Sequence, residues 1–125
     1  QRLRKGEGIM IENRKFIRLR TLLPVEYRLI KKHKRQKTVT AFMNNISIGG
    51  LSLVVKEVLR VGDLVWVGIQ VPHLEDPVEV VGDVIWHWAS KDKEKPSQEA
   101  GIRFQDANPS ELNKILDYVY SVAIG

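Results

Sequence analysis

The chain has 125 residues, 43% of them hydrophobic, and 20 Lys+Arg against 15 Asp+Glu for a formal charge of +5. That length suits one domain burying roughly two-thirds of its unfolded surface, and the composition excludes a disordered polymer. With no cysteine, disulfides and thiolate metal sites are excluded, and a reducing cytoplasm is the expected location.

The charge is unevenly placed. Residues 1–37 hold 13 Lys and Arg against Glu7, Glu12 and Glu26, a net of +10, while the remaining 88 residues net −5. An anionic partner is therefore drawn to the N-terminal end; a solvated basic tail is the plainer reading of the same asymmetry. No apolar run is long enough to span a bilayer, since Ile46–Val55 is broken by Ser47 and Ser52. Arg2, Arg4 and Lys5 lead into no apolar segment of the kind a secretory signal needs. The opening Gln, in place of Met, raises the expectation of a piece of a longer protein with an output domain or partner elsewhere.

Residues 1–12 read as a flexible basic arm, and residues 13–125 as the domain. Leu23–Ile30 is the first expected strand, running into a basic hairpin tip at Lys31–Lys37 and returning as Thr38–Ile46. Leu51–Val55 is a third strand, followed by the turn Arg60-Val61-Gly62-Asp63. Leu64–Val71 and Val78–Trp88 are the fourth and fifth, Ala89–Gln98 a polar loop, and Glu99–Gln105 the sixth. Asn108-Pro109-Ser110-Glu111 then supplies an N-cap, a proline at the first helical position and an acid three residues after the cap. Leu112, Ile115, Leu116, Val119, Tyr120 and Ala123 make the apolar stripe of the terminal helix. The expected fold is all-β: a six-stranded antiparallel barrel, closed to remove its edges, with a C-terminal α-helix.

Two segments carry chemistry. In Asn13-Arg14-Lys15-Phe16-Ile17-Arg18-Leu19-Arg20, an extended backbone sets Arg14, Phe16, Arg18 and Arg20 on one face. Arginine's planar fork donates to O6 and N7 of guanine, stacks on the base, or grips a phosphate. In Asn45-Ile46-Ser47-Ile48-Gly49-Gly50, an amide and a hydroxyl precede two glycines that permit positive φ or close approach of a ligand to the backbone. Taken separately, a solvated basic linker and an ordinary hairpin turn are the better explanations of them.

Taken together, Arg14-Lys15-Phe16-Ile17-Arg18 and Asn45-Ile46-Ser47-Ile48-Gly49-Gly50 resemble the RxxxR and [D/N]xSxxG elements of the PilZ family. Leu23-Pro24-Val25, Gly82-Asp83-Val84-Ile85-Trp86 and Gly101-Ile102-Arg103-Phe104 agree with it, and the resemblance covers roughly residues 12–123. It implies a six-stranded barrel with a C-terminal helix, and a bacterial receptor for the second messenger cyclic di-GMP that acts on a downstream protein or a fused output domain. Residue by residue, it implies that Arg14 and Arg18 hold guanine faces and phosphates and that Asn45 and Ser47 read the guanine edge. Lys15 stands where many relatives carry a second arginine, and Gly49 and Gly50 leave room for the base. The arginine segment is expected to be mobile until ligand folds it against the turn.

Trp66, Trp86 and Trp88 are expected to pack in the core or at the barrel rim, with Trp86 and Trp88 on one face of a strand and His87 on the other. His33, His73 and His87 show no metal-ligand spacing, and no nucleophilic triad, P-loop or dinucleotide fingerprint occurs. A cofactor-free, metal-free, non-enzymatic receptor is the reading. The alternatives are a single-strand or RNA-binding barrel using Lys31, Lys32, Lys34, Arg35 and Lys37, and a PilZ-like interaction module without a ligand.

Overall fold

A computed structural model describes residues 9–10, 18–32, 36–89 and 97–124. Its elements are β1 (Ile9–Met10), β2 (Arg18–Leu29), β3 (Val39–Ile46), β4 (Gly50–Val55), β5 (Leu64–Ile69), β6 (Val78–Ala89), β7 (Gln98–Ala107) and α1 (Pro109–Ile124). The strands pair antiparallel in the order β1-β2-β3-β4-β7-β6-β5, and a further pairing of β2 with β5, Val25↔Ile69 through Leu29↔Val65, closes six of them into a ring. This is the six-stranded antiparallel barrel with a terminal helix that the strand pattern implied. Closure matters because each ring strand then has both its hydrogen-bonding edges engaged.

Inside the barrel the period-two pattern is explicit. Val25 and Tyr27, Ala41 and Met43, Leu51, Leu53 and Val55, and Val65, Val67 and Ile69 are buried, as are Val78, Val80, Val84, Ala100 and Ile102. Leu59 and Val71, from the connecting segments, complete this core. Tyr27 is fully buried except for its need of a hydrogen-bond partner, which Glu57 supplies by accepting from the phenol. Burial, then the hydrogen bond and the negative charge of Glu57, push the phenol's pKa well above its ordinary value.

The expected turn at Arg60–Asp63 forms. Asp63 N–H donates to Arg60 O at 3.0 Å, Arg60 N–H donates to Asp63 Oδ2 at 2.9 Å, and Gly62 takes φ 97°, a conformation glycine adopts without steric cost. The helix start also forms as the cap residues implied: Asn108 Oδ1 accepts from Ser110 N–H (2.9 Å) and Glu111 N–H (3.2 Å). Leu112, Ile115 and Val119 are buried and Leu116 half-buried.

The helix stripe and the start of the first strand differ from the sequence reading. Tyr120, assigned to the helix stripe, is 50% exposed, and Tyr118 packs against the core instead. Position 120 lies roughly 90° around the helix from the centre of the stripe, at its very edge. The second difference is that β2 begins at Arg18, five residues before the expected Leu23. Backbone pairing extends it: Leu19↔Ile46 and Arg20↔Asn45 on the β3 side, Ile9↔Leu19 and Met10↔Arg18 on the β1 side. Arg18 and Arg20 therefore lie within a sheet strand, and Ile9–Met10, inside the stretch read as an arm, pairs with it.

Candidate functional site on the outer wall

Of the arginine segment only Arg18 is described, and the β2–β3 register brings that end of β2 to the turn segment. Leu19 is the partner of Ile46 and Arg20 of Asn45, so Arg18 follows directly on a pair that leads into the Ser47–Gly50 turn. Arg14 and Lys15 lie outside the described residues. The pairing continues across the barrel as one row, Arg20↔Asn45, Asn45↔Ser52, Ser52↔Gly101 and Gly101↔Trp86. The adjacent row, Ile46↔Leu51, Leu51↔Ile102 and Ile102↔Val84, is the buried one. Alternation therefore gives Asn45, Ser52, Gly101 and Trp86 to the outer wall.

The turn itself is tight. Ser47 N–H donates to Gly50 O at 2.8 Å, the Ser47 hydroxyl donates to the same carbonyl at 3.4 Å, and Ser47 Oγ accepts from Gly49 N–H at 3.3 Å. Gly49 O accepts from Phe104 N–H at 3.0 Å, which fastens the turn to β7. Ser47 is buried, and Asn45, Gly49 and Gly50 are half-buried. Positive φ, one of the two reasons considered for the glycine pair, is not the one in use: among the described residues only Gly62 and His73 take it. Close approach is. A Cβ on Gly50 would stand 2.2 Å from the carbonyl oxygen of Ile102, so this position admits no side chain while β4 pairs with β7. That packing demand exists before any ligand arrives.

A register shift between Met43 and Asn45 leaves Asn44 without a partner on β4, the mark of a bulge. Its amide donates to Glu99 Oε2 at 2.8 Å, and the Ser52 hydroxyl donates to the same oxygen at 3.0 Å. Asn44, Ser52 and Glu99 were not singled out from the sequence. No local sequence signal marks them, since the network joins β3, β4 and β7 across the sheet. Beside this network, Trp86 lies over Gly101 and stacks on Trp88 with ring centroids 4.5 Å apart. Both tryptophans are on the outer wall, Trp86 half-buried and Trp88 59% exposed, so neither packs in the core. His87, on the other side of the strand, meets Gln98 Nε2 through Nδ1 at 3.0 Å.

Arg103, partner of Gly50 across β4 and β7, is occupied by Asp83, with Nη2 to Oδ2 at 3.0 Å. Gln105 also donates to Asp83 at 2.7 Å, and these two donors, Gln105 foremost, hold the carboxyl below its ordinary pKa. On the far side of the turn, a hollow of about 290 Å³ separates Ile48 and Phe104 from Pro109, Leu112 and Asn113 at the start of α1. Among the described residues no three His, Asp or Glu side chains gather as a metal site, and no helix is long and apolar enough to cross a membrane.

This barrel, with a polar turn bound to its outer wall and a capped terminal helix, defines a class, and comparison with known proteins names it. The PilZ domain family model matches residues 12–121, and the chain belongs to that family. Among solved structures, the Bacillus subtilis inhibitor of motility MotI/DgrA superposes with a TM-score of 0.67 at 18% identity, over 90% of this chain and 52% of that one. The K. pneumonia MrkH–c-di-GMP complex gives 0.66 at 16% identity, over 91% and 55%. The c-di-GMP-bound PilZ domain of Escherichia coli YcgR gives 0.59 at 14% identity, over 88% and 91%. The chain thus spans about half the length of two of these and nearly all of the third. No curated protein matches it in sequence.

Proposed function

We propose that this domain is a receptor for cyclic di-GMP, acting by binding and relay rather than by catalysis. Family membership and the c-di-GMP complexes among its structural relatives support the reading. The observation that carries it is the β2–β3 register, which sets Arg18 next to the Leu19↔Ile46 pair and hence beside the Ser47–Gly50 turn. Arg14 and Arg18, with Lys15, grip guanine faces and phosphates through charge-assisted contacts. Asn45 and Ser47 read the guanine edge, and Gly49 and Gly50 leave the turn open to close approach.

Engaging Ser47 requires its hydroxyl to exchange a long contact of 3.4 Å with Gly50 O for one to ligand, a modest rearrangement. Movement of the turn has a route to α1, since Ile48 lines the hollow against the helix start. A cytoplasmic receptor handing its signal to a protein partner or a fused output domain completes the reading. Titration calorimetry with cyclic di-GMP tests it: saturable heat at micromolar ligand is expected, with GMP failing to compete. No heat at high ligand concentration overturns it.

A further inference from the structure

At the far end of β2, about 30 Å along the strand from Arg18, lies a second groove of about 490 Å³. Its floor is Trp66, held in place by donating from Nε1 to Glu79 Oε1 at 2.9 Å and accommodated by Gly68, where a Cβ would stand 2.7 Å from the indole. The Arg28 guanidinium lies 4.3 Å over the indole ring. Lys31, Gln36 and Thr38 form the rest of the polar lining, and Leu29 and Ile30 an aliphatic side. The lining offers two cations, an amide, a hydroxyl and an indole, and no carboxylate. Gln36 Nε2 is buried and has no hydrogen-bond partner among the described residues. Lys32 and Lys37 add exposed charge at the rim.

We propose that this groove is a second ligand site, distinct from the Asn45–Gly50 surface, for a phosphate-bearing nucleobase: single-stranded nucleic acid or a free nucleotide. The physical match has three parts. A guanidinium stacked on an indole is a flat cationic platform that takes a base face from any sequence. Lys31 and the rim lysines take phosphate, and Gln36 Nε2 with Thr38 supplies hydrogen bonds to base or phosphate oxygens. The volume lies within the range of pockets that seat small ligands. The proposal does not rest on cyclic di-GMP binding.

The test is fluorescence anisotropy of the 125-residue chain with a fluorescein-labelled single-stranded oligonucleotide of about 12 nucleotides at low salt. Binding should weaken steeply as salt rises, and at least roughly tenfold in Arg28→Ala and in Lys31→Glu. Lys31 is exposed, so its charge reversal keeps the test valid should Arg28→Ala fail to fold. Reversal of a distant exposed lysine, Lys114→Glu, should leave binding unchanged. Displacement by AMP assigns the ligand to free nucleotide, and resistance to AMP assigns it to the strand; both support the site. Absence of binding by both oligonucleotide and AMP overturns it. So does binding indifferent to Arg28→Ala and Lys31→Glu.

Discussion

Trp86 occupies the space that a side chain at Gly101 would need: a Cβ there would lie 2.2 Å from the indole Cε2 and 2.3 Å from Nε1. The two residues are cross-strand partners on the outer wall, and Trp88 stacks on the indole. An aromatic laid over a cross-strand glycine pins register without using core volume. Gly101→Ala is expected to cost about 1–3 kcal/mol, the usual range for overpacking. Trp86→Ala in the same chain should recover part of that loss, measured as a non-additive double-mutant cycle in urea denaturation. Strict additivity would show that the contact is not formed.

Gly50→Ala meets backbone rather than a yielding side chain, at 2.2 Å from Ile102 O. Destabilisation of about 1–3 kcal/mol or more is expected, with local opening of the β4–β7 pairing seen as faster hydrogen exchange at Arg103 and Phe104. An Ala variant as stable as the parent would contradict this account of the glycine.

Glu99 Oε2 collects donors from Asn44 and from buried Ser52. Glu99→Ala should cost about 1–3 kcal/mol, because the Ser52 hydroxyl loses its acceptor away from water. Adding Ser52→Ala should reduce the penalty, since no orphaned hydroxyl then remains; thermal melts of the four variants decide the matter.

The Tyr27 phenol is held neutral by burial and by Glu57, so its folded pKa lies above the ordinary value of about 10. Below that ordinary value both states keep the proton and its contribution is fully present. As pH rises past about 10, the unfolded chain releases the proton first, and stability falls by up to about 1.4 kcal/mol per pH unit from this group. Tyr27→Phe should remove that slope while costing about 0.5–1.5 kcal/mol near neutrality. Urea midpoints between pH 8 and 11 for both proteins give the comparison.

Arg18→Ala and Arg14→Ala should each weaken cyclic di-GMP binding by about 1.5–3 kcal/mol, a factor of roughly 10 to 150, as loss of a charge-assisted hydrogen bond does. Calorimetry reads the loss. Wild-type affinity in both variants would show that the ligand, if bound, sits elsewhere.

How far the sequence reached depends on the range of the interaction concerned. Strand alternation, the Gly62 turn and the Asn108 cap are local rules, and the structure repeats them with boundaries moved by a few residues. The first strand's start was misplaced because Arg18–Leu22 was read as extended but not as paired; what makes it a sheet strand is its pairing with Ile9–Met10 and Asn45–Ile46. Within the candidate site, Asn45, Ser47 and Gly50 were legible as residue types able to meet a ligand. The packing reason for Gly50 was not, because Ile102 is 52 positions away.

By itself, then, the sequence determined a basic N-terminal end, a cysteine-free all-β domain with a capped helix, and two motifs of one family in the right order. Only the tertiary structure decided that Arg18 stands beside the Ser47–Gly50 turn, that Trp66 and Trp86 lie on the outer wall over glycines, and that Asn44 and Ser52 share Glu99. Each of those is a register fact, set by which strands meet and in what alignment. Register follows from burying every inward row at once, a cooperative outcome that no single segment specifies.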